Sequence, residues 1–256
     1  MKYSSEIFET TNIINIDINN TLVEYQTLEN ALLYIINNPL TENTIFILNS
    51  DIEYITTSGG IPILNNFNIT IKGKDDITKI IPSGDTVNSW NTLFDINCNI
   101  SFINCEFDAS QTNFGENENE SAIRFYGKYM EFKNSKIKGE FYIGIDISYC
   151  NDSEIWIYNS EINNCRYSGI QIGYNWSYLN NITYKSEYTK YLYTDQYNYI
   201  GINVEKGSNI ILFSDNDTIE LINQEQIFIK KTNITSINNF TMTNYNWNNI
   251  GILKNW

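Results

Sequence analysis

Short segments in which apolar and polar residues alternate recur along the chain from residue 45 onwards. The first template is apolar-x-apolar-x-Asn, and its copies end at Asn49, Asn104, Asn134, Asn159 and Asn244, with weaker copies that end at Gly73, Ser186 and Asn216. These end points lie 24 to 31 residues apart. Alternation with a period of two indicates short strands that bury one face.

A second template, small-Ile-x-apolar, falls between consecutive copies of the first. Its copies begin at Gly60, Leu93, Ala122, Gly144, Gly169 and Gly201, with a weaker copy at Gln226 and a last one at Gly251. The two templates alternate without exception to the end of the chain. An internal repeat of about 28 residues with two or three short strands predicts an all-β fold, a parallel β-helix (solenoid) of about eight coils.

The unusual composition fits stacked coils. Isoleucine contributes 44 and asparagine 41 of the 256 residues. Inward isoleucines would form continuous apolar columns. The template asparagines would stack as a ladder at one bend, because Asn tolerates the left-handed backbone and its amides can bond along the axis. Codon bias in an AT-rich genome is the alternative source of the asparagines.

The first 43 residues lack the repeat and predict an N-terminal cap. Residues 12–18 read as a strand, and Thr27 is a candidate N-cap for a helix over residues 28–36. An amphipathic helix over the open end would shield the first coil. We therefore expect a cap over residues 1–43 and a β-helix over residues 44–256, which together form one structural domain.

Charge and composition exclude several functions. The chain has 16 basic and 30 acidic residues, a net charge of −14 and no histidine. An acidic surface repels phosphate, so we expect no nucleic-acid partner. Without histidine there is no Ser-His-Asp triad and no His-based metal site. No apolar run reaches the ~18 residues of a membrane span, and the first residues contain no secretory signal.

The four cysteines are Cys98, Cys105, Cys150 and Cys165. Their even number permits two disulfides, but they lie among apolar strand residues and show no CxxC spacing. We interpret them as buried free thiols.

The chain resembles the pectate-lyase-like right-handed β-helix superfamily in four features: the helix, the phrase Ile-Thr-Ile-Lys-Gly at 69–73, the Asn-Cys and Asn-Ser bends, and the Gly-Ile-x-Ile strands. Within it, the Asn- and Ile-rich adhesin-like surface proteins are the most similar. The resemblance implies a right-handed, single-stranded parallel β-helix and an extracellular or cell-surface location. It is weak for activity, because the superfamily includes lyases, hydrolases, adhesins and scaffolds.

No catalytic motif of that superfamily can be transferred to this chain, which has only two arginines, Arg124 and Arg166. The outward position of the second template gives a row of side chains: Pro62, Asp95, Arg124, Asp146, Gln171, Asn203, Phe228 and Leu253. Asp95, Arg124 and Asp146 are weak catalytic candidates, with the carboxylates about 10 Å apart. A solvated ion-pair ladder is the favoured interpretation, because a similar column, Glu106, Lys136 and Glu161, follows the Asn ladder.

Aromatic residues give the better functional hypothesis. Tyr142, Tyr167 and Tyr199 each precede a template glycine by two residues, so their rings should stack outward about 5 Å apart. Trp156 and Tyr158 are expected on the outer face of the first template, and Tyr191 and Tyr193 in a tyrosine-rich loop. Sugar rings pack on exposed aromatic faces, so these residues predict a binding surface for a polysaccharide or cell-surface glycan.

The leading hypothesis is a non-catalytic, adhesin-like surface module without cofactors. Calcium could bind the acidic segment 108–120, but acidic loops are usually only solvated. A polysaccharide lyase or glycoside hydrolase, including a tailspike-type depolymerase, is the first alternative. A structural spacer of a larger surface protein is the second.

Overall fold

The computed structural model shows parallel strands stacked into a solenoid with three sheets. It describes residues 12–55, 61–64, 66–74, 77–83, 92–110, 121–139, 141–147, 150–173, 179–193, 200–205, 207–208, 210–221, 227–231, 237–243, 246–248 and 253–255. Beyond residue 218 only the backbone is described. Neighbouring strands within each sheet come from successive coils, and every described pair is parallel. The all-β parallel β-helix predicted from the sequence is confirmed.

The first sheet contains the first template, and the second sheet contains the second template. The first sheet consists of Asn12–Ile16, Thr44–Leu48, Ile69–Gly73, Ile100–Ile103, Tyr129–Lys133, Ser153–Tyr158, Ile182–Glu187, Ile210–Asp215 and Ile237–Thr243. The second sheet consists of Ile61–Leu64, Thr92–Asn97, Ser121–Phe125, Ile143–Asp146, Ser168–Ile172, Ile200–Val204, Ile227–Lys231 and Leu253–Asn255.

The third sheet follows the bend that ends the first. Its strands are Ile52–Ile55, Thr78–Pro82, Cys105–Asp108, Lys136–Lys138, Glu161–Asn163, Lys190–Tyr193, Thr218–Leu221 and Asn246–Asn248. A pair of short strands, Leu179–Asn180 and Gly207–Ser208, lies outside the three sheets. The expected column Glu106, Lys136, Glu161 is confirmed on this sheet, and the register extends it to Lys79 and Lys190.

One α-helix, Leu28–Asn37, lies at the N-terminal end of the described chain, after a 3-10 turn at Val23–Tyr25. The Thr27 side chain accepts a hydrogen bond from the Asn30 amide at 3.1 Å, so the predicted N-cap is confirmed. Glu53 of the third sheet adds a second cap, since its carboxylate accepts from the Leu28 amide at 2.9 Å. The helix buries Leu28, Ala31, Leu32 and Ile35, and it contacts the first strands of the second and third sheets.

Left-handed residues form the bend between the first and third sheets. Asn104, Asn134 and Asn159 have φ of 55°, 49° and 46°, and the Asn159 amide donates to Asn134 Oδ1 at 2.9 Å. In the next coil the left-handed residue is Tyr188, with φ 53°. The prediction that this template copy ends at Ser186 is therefore wrong. Ser186 pairs with Ile157 in an inward position, so this strand continues to Glu187 before the chain bends. Asn244 lies outside the described residues.

Inward Ile, Phe and Leu columns form the core between the sheets. Phe94, Phe102, Phe107 and Phe132 pack with ring centroids 5.2 to 6.3 Å apart. At Gly144, close packing explains why the second template begins with a small residue. A Cβ there would lie 2.5 Å from the Gly169 carbonyl oxygen and 3.1 Å from Cys165 Sγ.

All four cysteines are buried and free, which confirms that interpretation, and burial raises the pKa of each thiol to about 12. Among the described residues, no helix has the length and apolar character that a membrane crossing requires.

Candidate functional site

Eight positions, one from each coil, are aligned along the second sheet, and most of them are polar residues. The strand register aligns Pro62, Asp95, Arg124, Asp146, Gln171, Asn203, Lys230 and Lys254, and we refer to this set as the polar row. Its first six members were predicted. The two residues predicted to follow Asn203 in the row, Phe228 and Leu253, are wrong. Asn203 pairs with Lys230, two residues after Phe228, and Lys230 pairs with Lys254, one residue after Leu253.

Asp95, Arg124 and Asp146 form an ion-pair cluster within the polar row. Arg124 Nη1 lies 3.6 Å from Asp95 Oδ1, and Arg124 Nε lies 3.5 Å from Asp146 Oδ2. The expected solvated ladder is wrong for Asp146, which is only 2% exposed because Arg124 and Gln171 flank it on the adjacent coils. Burial raises the pKa of Asp95, and the nearby Arg124 guanidinium opposes that shift. Arg124 thus contacts both candidate catalytic carboxylates.

The next two members of the row, Gln171 and Asn203, belong to a buried hydrogen-bond network. Asn203 Nδ2 donates to Gln171 Oε1 at 2.8 Å, to the Tyr167 hydroxyl at 3.0 Å and to Glu205 Oε1 at 3.1 Å. The Tyr167 hydroxyl donates to Glu205 Oε1 at 3.3 Å. The network fixes the Tyr167 ring beside the polar row.

Tyr142 and Tyr167, here called the tyrosine pair, are the aromatic component of this face. Their ring centroids are 5.1 Å apart and the ring planes differ by 3°, so the predicted spacing of about 5 Å is confirmed. At this separation parallel rings are offset, and part of each ring face is not covered by the other. Both residues are partly buried, and burial, followed by the charge of Glu205, raises the pKa of Tyr167 to about 12. Tyr199 lies outside the described residues.

The other aromatic candidates lie on the first sheet. Trp156 donates from Nε1 to Glu154 at 2.6 Å, and Lys185 Nζ lies 4.4 Å from the Trp156 ring centroid and 2.8 Å from the same carboxylate oxygen. A lysine therefore lies over the Trp156 ring. Tyr158 is more open, with 38% exposure, and packs edge to face with Tyr188 at 5.8 Å.

The expectation that Tyr191 is an exposed loop residue is wrong. Tyr191 is 0% exposed, and its hydroxyl donates to Ser186 Oγ at 2.8 Å and contacts the Tyr184 hydroxyl at 2.5 Å. It pairs with Ile162 on the third sheet, so its ring occupies an inward core position. The side chain of Tyr193 lies outside the described part of the chain.

Glu205 was not predicted from the sequence, nor was the position of Tyr188 in the bend beside Tyr158. Glu205 directly follows the strand Ile200–Val204, two residues after Asn203. That two-residue spacing was the available signal, because alternate residues of an extended chain share a face. Tyr188 carried no signal, since a tyrosine in a left-handed bend is unusual.

Neither a cofactor nor a metal is assigned to the site. Within the described ranges no three His, Cys, Asp or Glu side chains are grouped to hold a metal ion. Residues 111–120 of the segment considered for calcium lie outside the described residues. The Asp108 carboxylate at its start accepts hydrogen bonds from the amide and hydroxyl of Ser110.

Comparison with known proteins supports the fold. No family model and no curated protein sequence matches the chain. The structure is similar to that of YbhC from Escherichia coli, with a TM-score of 0.56 and 11% identity over 96% of this chain and 87% of that one. A superposition on an iota-carrageenase bound to iota-carrageenan fragments gives a TM-score of 0.45 and 14% identity over 86% and 56% of the chains. At such identities the likeness to YbhC shows a shared β-helix fold alone.

Proposed function

We propose that this protein is a non-catalytic, adhesin-like module at the cell surface or outside the cell. Its binding surface is the outer face of the second sheet, and its partner is a polysaccharide or cell-surface glycan. The observation that carries the proposal is the tyrosine pair, an offset stack whose second hydroxyl is held by Asn203 and Glu205.

The physical argument combines two kinds of contact. Sugar rings pack their C–H faces on aromatic rings, and their hydroxyl groups bond to nearby carboxylates and amides. The tyrosine pair supplies the first contact, and the partly exposed carboxylates of Asp95 and Glu205 supply the second. A ring held by its hydroxyl loses little further conformational entropy when a ligand binds.

Two distances set the size of the ligand. Tyr142 precedes Asp146 by four residues, which corresponds to about 13 Å along the strand. Asp95 lies two coils from Asp146, about 10 Å across the sheet. A ligand that contacts the tyrosine pair and Asp95 together is a glycan chain rather than a single sugar.

An oligosaccharide array tests the proposal directly. The wild type should bind a subset of the printed glycans, and Tyr167→Ala should lose that binding. Tyr158→Ala on the first sheet is the matched control and should retain it. Loss in Tyr158→Ala alone would move the site to the first sheet, and no binding by the wild type would refute the function.

A second assay separates binding from catalysis. The wild type is incubated with each polysaccharide that it binds, and new reducing ends are measured over time. We expect none above the buffer rate, because Arg124 contacts both Asp95 and Asp146. Turnover that disappears in a folded Asp146→Asn variant would replace the binding module with an enzyme.

A further inference from the structure

The hydrogen-bond chemistry of the polar row carries an inference about the class of glycan. Two side-chain oxygens of the row, Asp95 Oδ1 and Asn203 Oδ1, are buried and accept no hydrogen bond within the described residues, although Asp95 Oδ1 lies 3.6 Å from Arg124 Nη1 in an ion pair. Both atoms are acceptors. Buried acceptors of this kind ordinarily receive a donor, and leaving one unsatisfied costs about 1–3 kcal/mol.

The uncharged donors beside Asn203 are already engaged. The Asn203 amide is shared among Gln171, Tyr167 and Glu205, and the Gln171 amide donates to the Gly173 carbonyl oxygen at 2.5 Å. The Tyr167 hydroxyl donates to Glu205. This surface has a surplus of acceptors over available donors.

The local charge has the same sign as this surplus. From Asp95 to the tyrosine pair, Asp95, Asp146 and Glu205 supply three carboxylates and Arg124 supplies one cation. The two lysines of the polar row, Lys230 and Lys254, lie two and three coils beyond Gln171. The whole chain carries a net charge of −14. A carboxylate or sulfate group on a ligand would meet like charges and few donors, whereas an amine would meet opposite charges.

Access to the row is greatest at its Asp95 end. The Asp95 side chain is 29% exposed and that of Arg124 is 13% exposed, while Gln171 and Asn203 are fully buried beside Tyr167. Asp95 is therefore the acceptor that a bound glycan reaches first.

From these observations, and resting on the proposed function, we infer that the ligand is a glycan without acidic groups, and that amine-bearing glycans bind most tightly. Hydroxyl and ammonium groups of the sugar donate to the Asp95 carboxylate, the accessible acceptor of the polar row. Uronic and sulfated glycans are disfavoured by charge.

The test is an array of matched oligosaccharides of equal length at low salt and at pH 6, where the sugar amine is mostly protonated. Glucan, glucosamine, N-acetylglucosamine, glucuronate and sulfated glucan oligomers are printed together with galactose- and mannose-based sets. We expect the bound spots to be neutral or amine-bearing, and the amine-bearing signal to fall as salt is added. Binding confined to uronic or sulfated spots would overturn the inference and leave the glycan-binding function standing. An array without any bound spot would refute both.

Charge variants give an independent readout. Asp95→Asn should weaken binding of the amine-bearing oligomer about fivefold, as expected of a partly exposed ion pair, and change binding of the neutral oligomer less than twofold. Asp51→Asn, an exposed substitution on another part of the surface, is the matched control and should change neither. Equal effects of the two substitutions would contradict the role of Asp95.

Discussion

At the scale of single residues, left-handed asparagines form the bend between the first and third sheets in several coils. Asn104, Asn134 and Asn159 occupy a region of backbone space that most side chains enter only at a cost. The Asn159 amide also bonds to Asn134 of the preceding coil, so this residue type serves both the bend and the stacking.

Asn134 allows these two contributions to be separated. Asn134→Leu should lower the free energy of unfolding by about 1–3 kcal/mol, because it adds backbone strain and removes the bond from Asn159. Asn134→Gly removes the same bond without the strain and should cost less than about 1 kcal/mol. Urea unfolding of both variants measures the difference, and equal stabilities would show that left-handed strain is not the dominant cost.

A buried carboxyl makes stability depend on pH. Asp217 accepts hydrogen bonds from the Thr189 amide at 2.8 Å and the Ser214 hydroxyl at 2.6 Å, yet burial raises its pKa to about 6. Between about pH 4 and pH 6 the folded state therefore binds more protons than the unfolded state at this group. Its contribution to stability falls as the pH rises through that interval, by up to about 3 kcal/mol.

Asp217→Asn should remove this dependence. The unfolding free energy of the variant minus that of the wild type should increase as the pH rises from 4 to 7, and it should be lowest near pH 4. Urea unfolding at four pH values measures the difference, in which the titration of all other groups cancels. A difference that stays constant with pH would contradict a raised pKa at Asp217.

At the scale of elements, the N-terminal helix depends on a contact that the sequence pattern does not contain. Thr27 was identifiable from its position before an amphipathic segment. Glu53 lies 25 residues from the Leu28 amide that it caps, and Ser50 donates a hydrogen bond to the same carboxylate. Such a long-range cap becomes visible only when the third sheet is placed beside the helix.

Glu53→Ala should therefore be more harmful than the loss of the local cap. We expect a decrease of about 1–3 kcal/mol in unfolding free energy for Glu53→Ala, because a buried helix terminus loses its acceptor, and about 1 kcal/mol for Thr27→Ala. Guanidinium titrations followed by circular dichroism compare the two variants. Wild-type stability in Glu53→Ala would mean that the carboxylate is not a significant cap.

The repeat predicted most strands and their order, but its weak copies misplaced two registers. Ser186 and Phe228 were assigned by local resemblance to a template, whereas the neighbouring coil fixes the pairing. These two are each two residues out of place, whereas Leu253 is one residue out, which reverses its face, because it pairs with Ile229. Register therefore depends on the partner strand and not on the segment alone. The strong copies at Asn104 and Asn134 were placed correctly because their last residue is the asparagine that forms the left-handed bend.

At the scale of the whole molecule, burial decides which predicted site residues remain available. The spacing of Tyr142 and Tyr167 followed from their equal offset to Gly144 and Gly169 and was predictable. The burial of Tyr191 was not, because a tyrosine-rich segment reads as a surface loop unless the third-sheet pairing with Ile162 is known. The burial of Asp146 likewise depends on its neighbours in the polar row.

The solenoid brings residues that are distant in sequence into one surface. The polar row from Asp95 to Asn203 spans more than 100 sequence positions, yet each of its members lies one coil from the next. Short parallel strands at a spacing of about 4.8 Å convert the sequence repeat into a linear array of side chains. A linear array of this kind matches a linear ligand.

Calorimetric titration with an oligosaccharide selected on the array tests the central claim most directly. The wild type is compared with a Tyr142→Ala/Tyr167→Ala double variant whose melting temperature has been checked. The account predicts a loss of affinity of about 2 kcal/mol or more, about 30-fold, and a smaller loss of stability, because Asn203 Nδ2 keeps Gln171 and Glu205 as acceptors when the Tyr167 hydroxyl is removed. Unchanged affinity in the folded double variant would contradict the tyrosine pair as the binding surface.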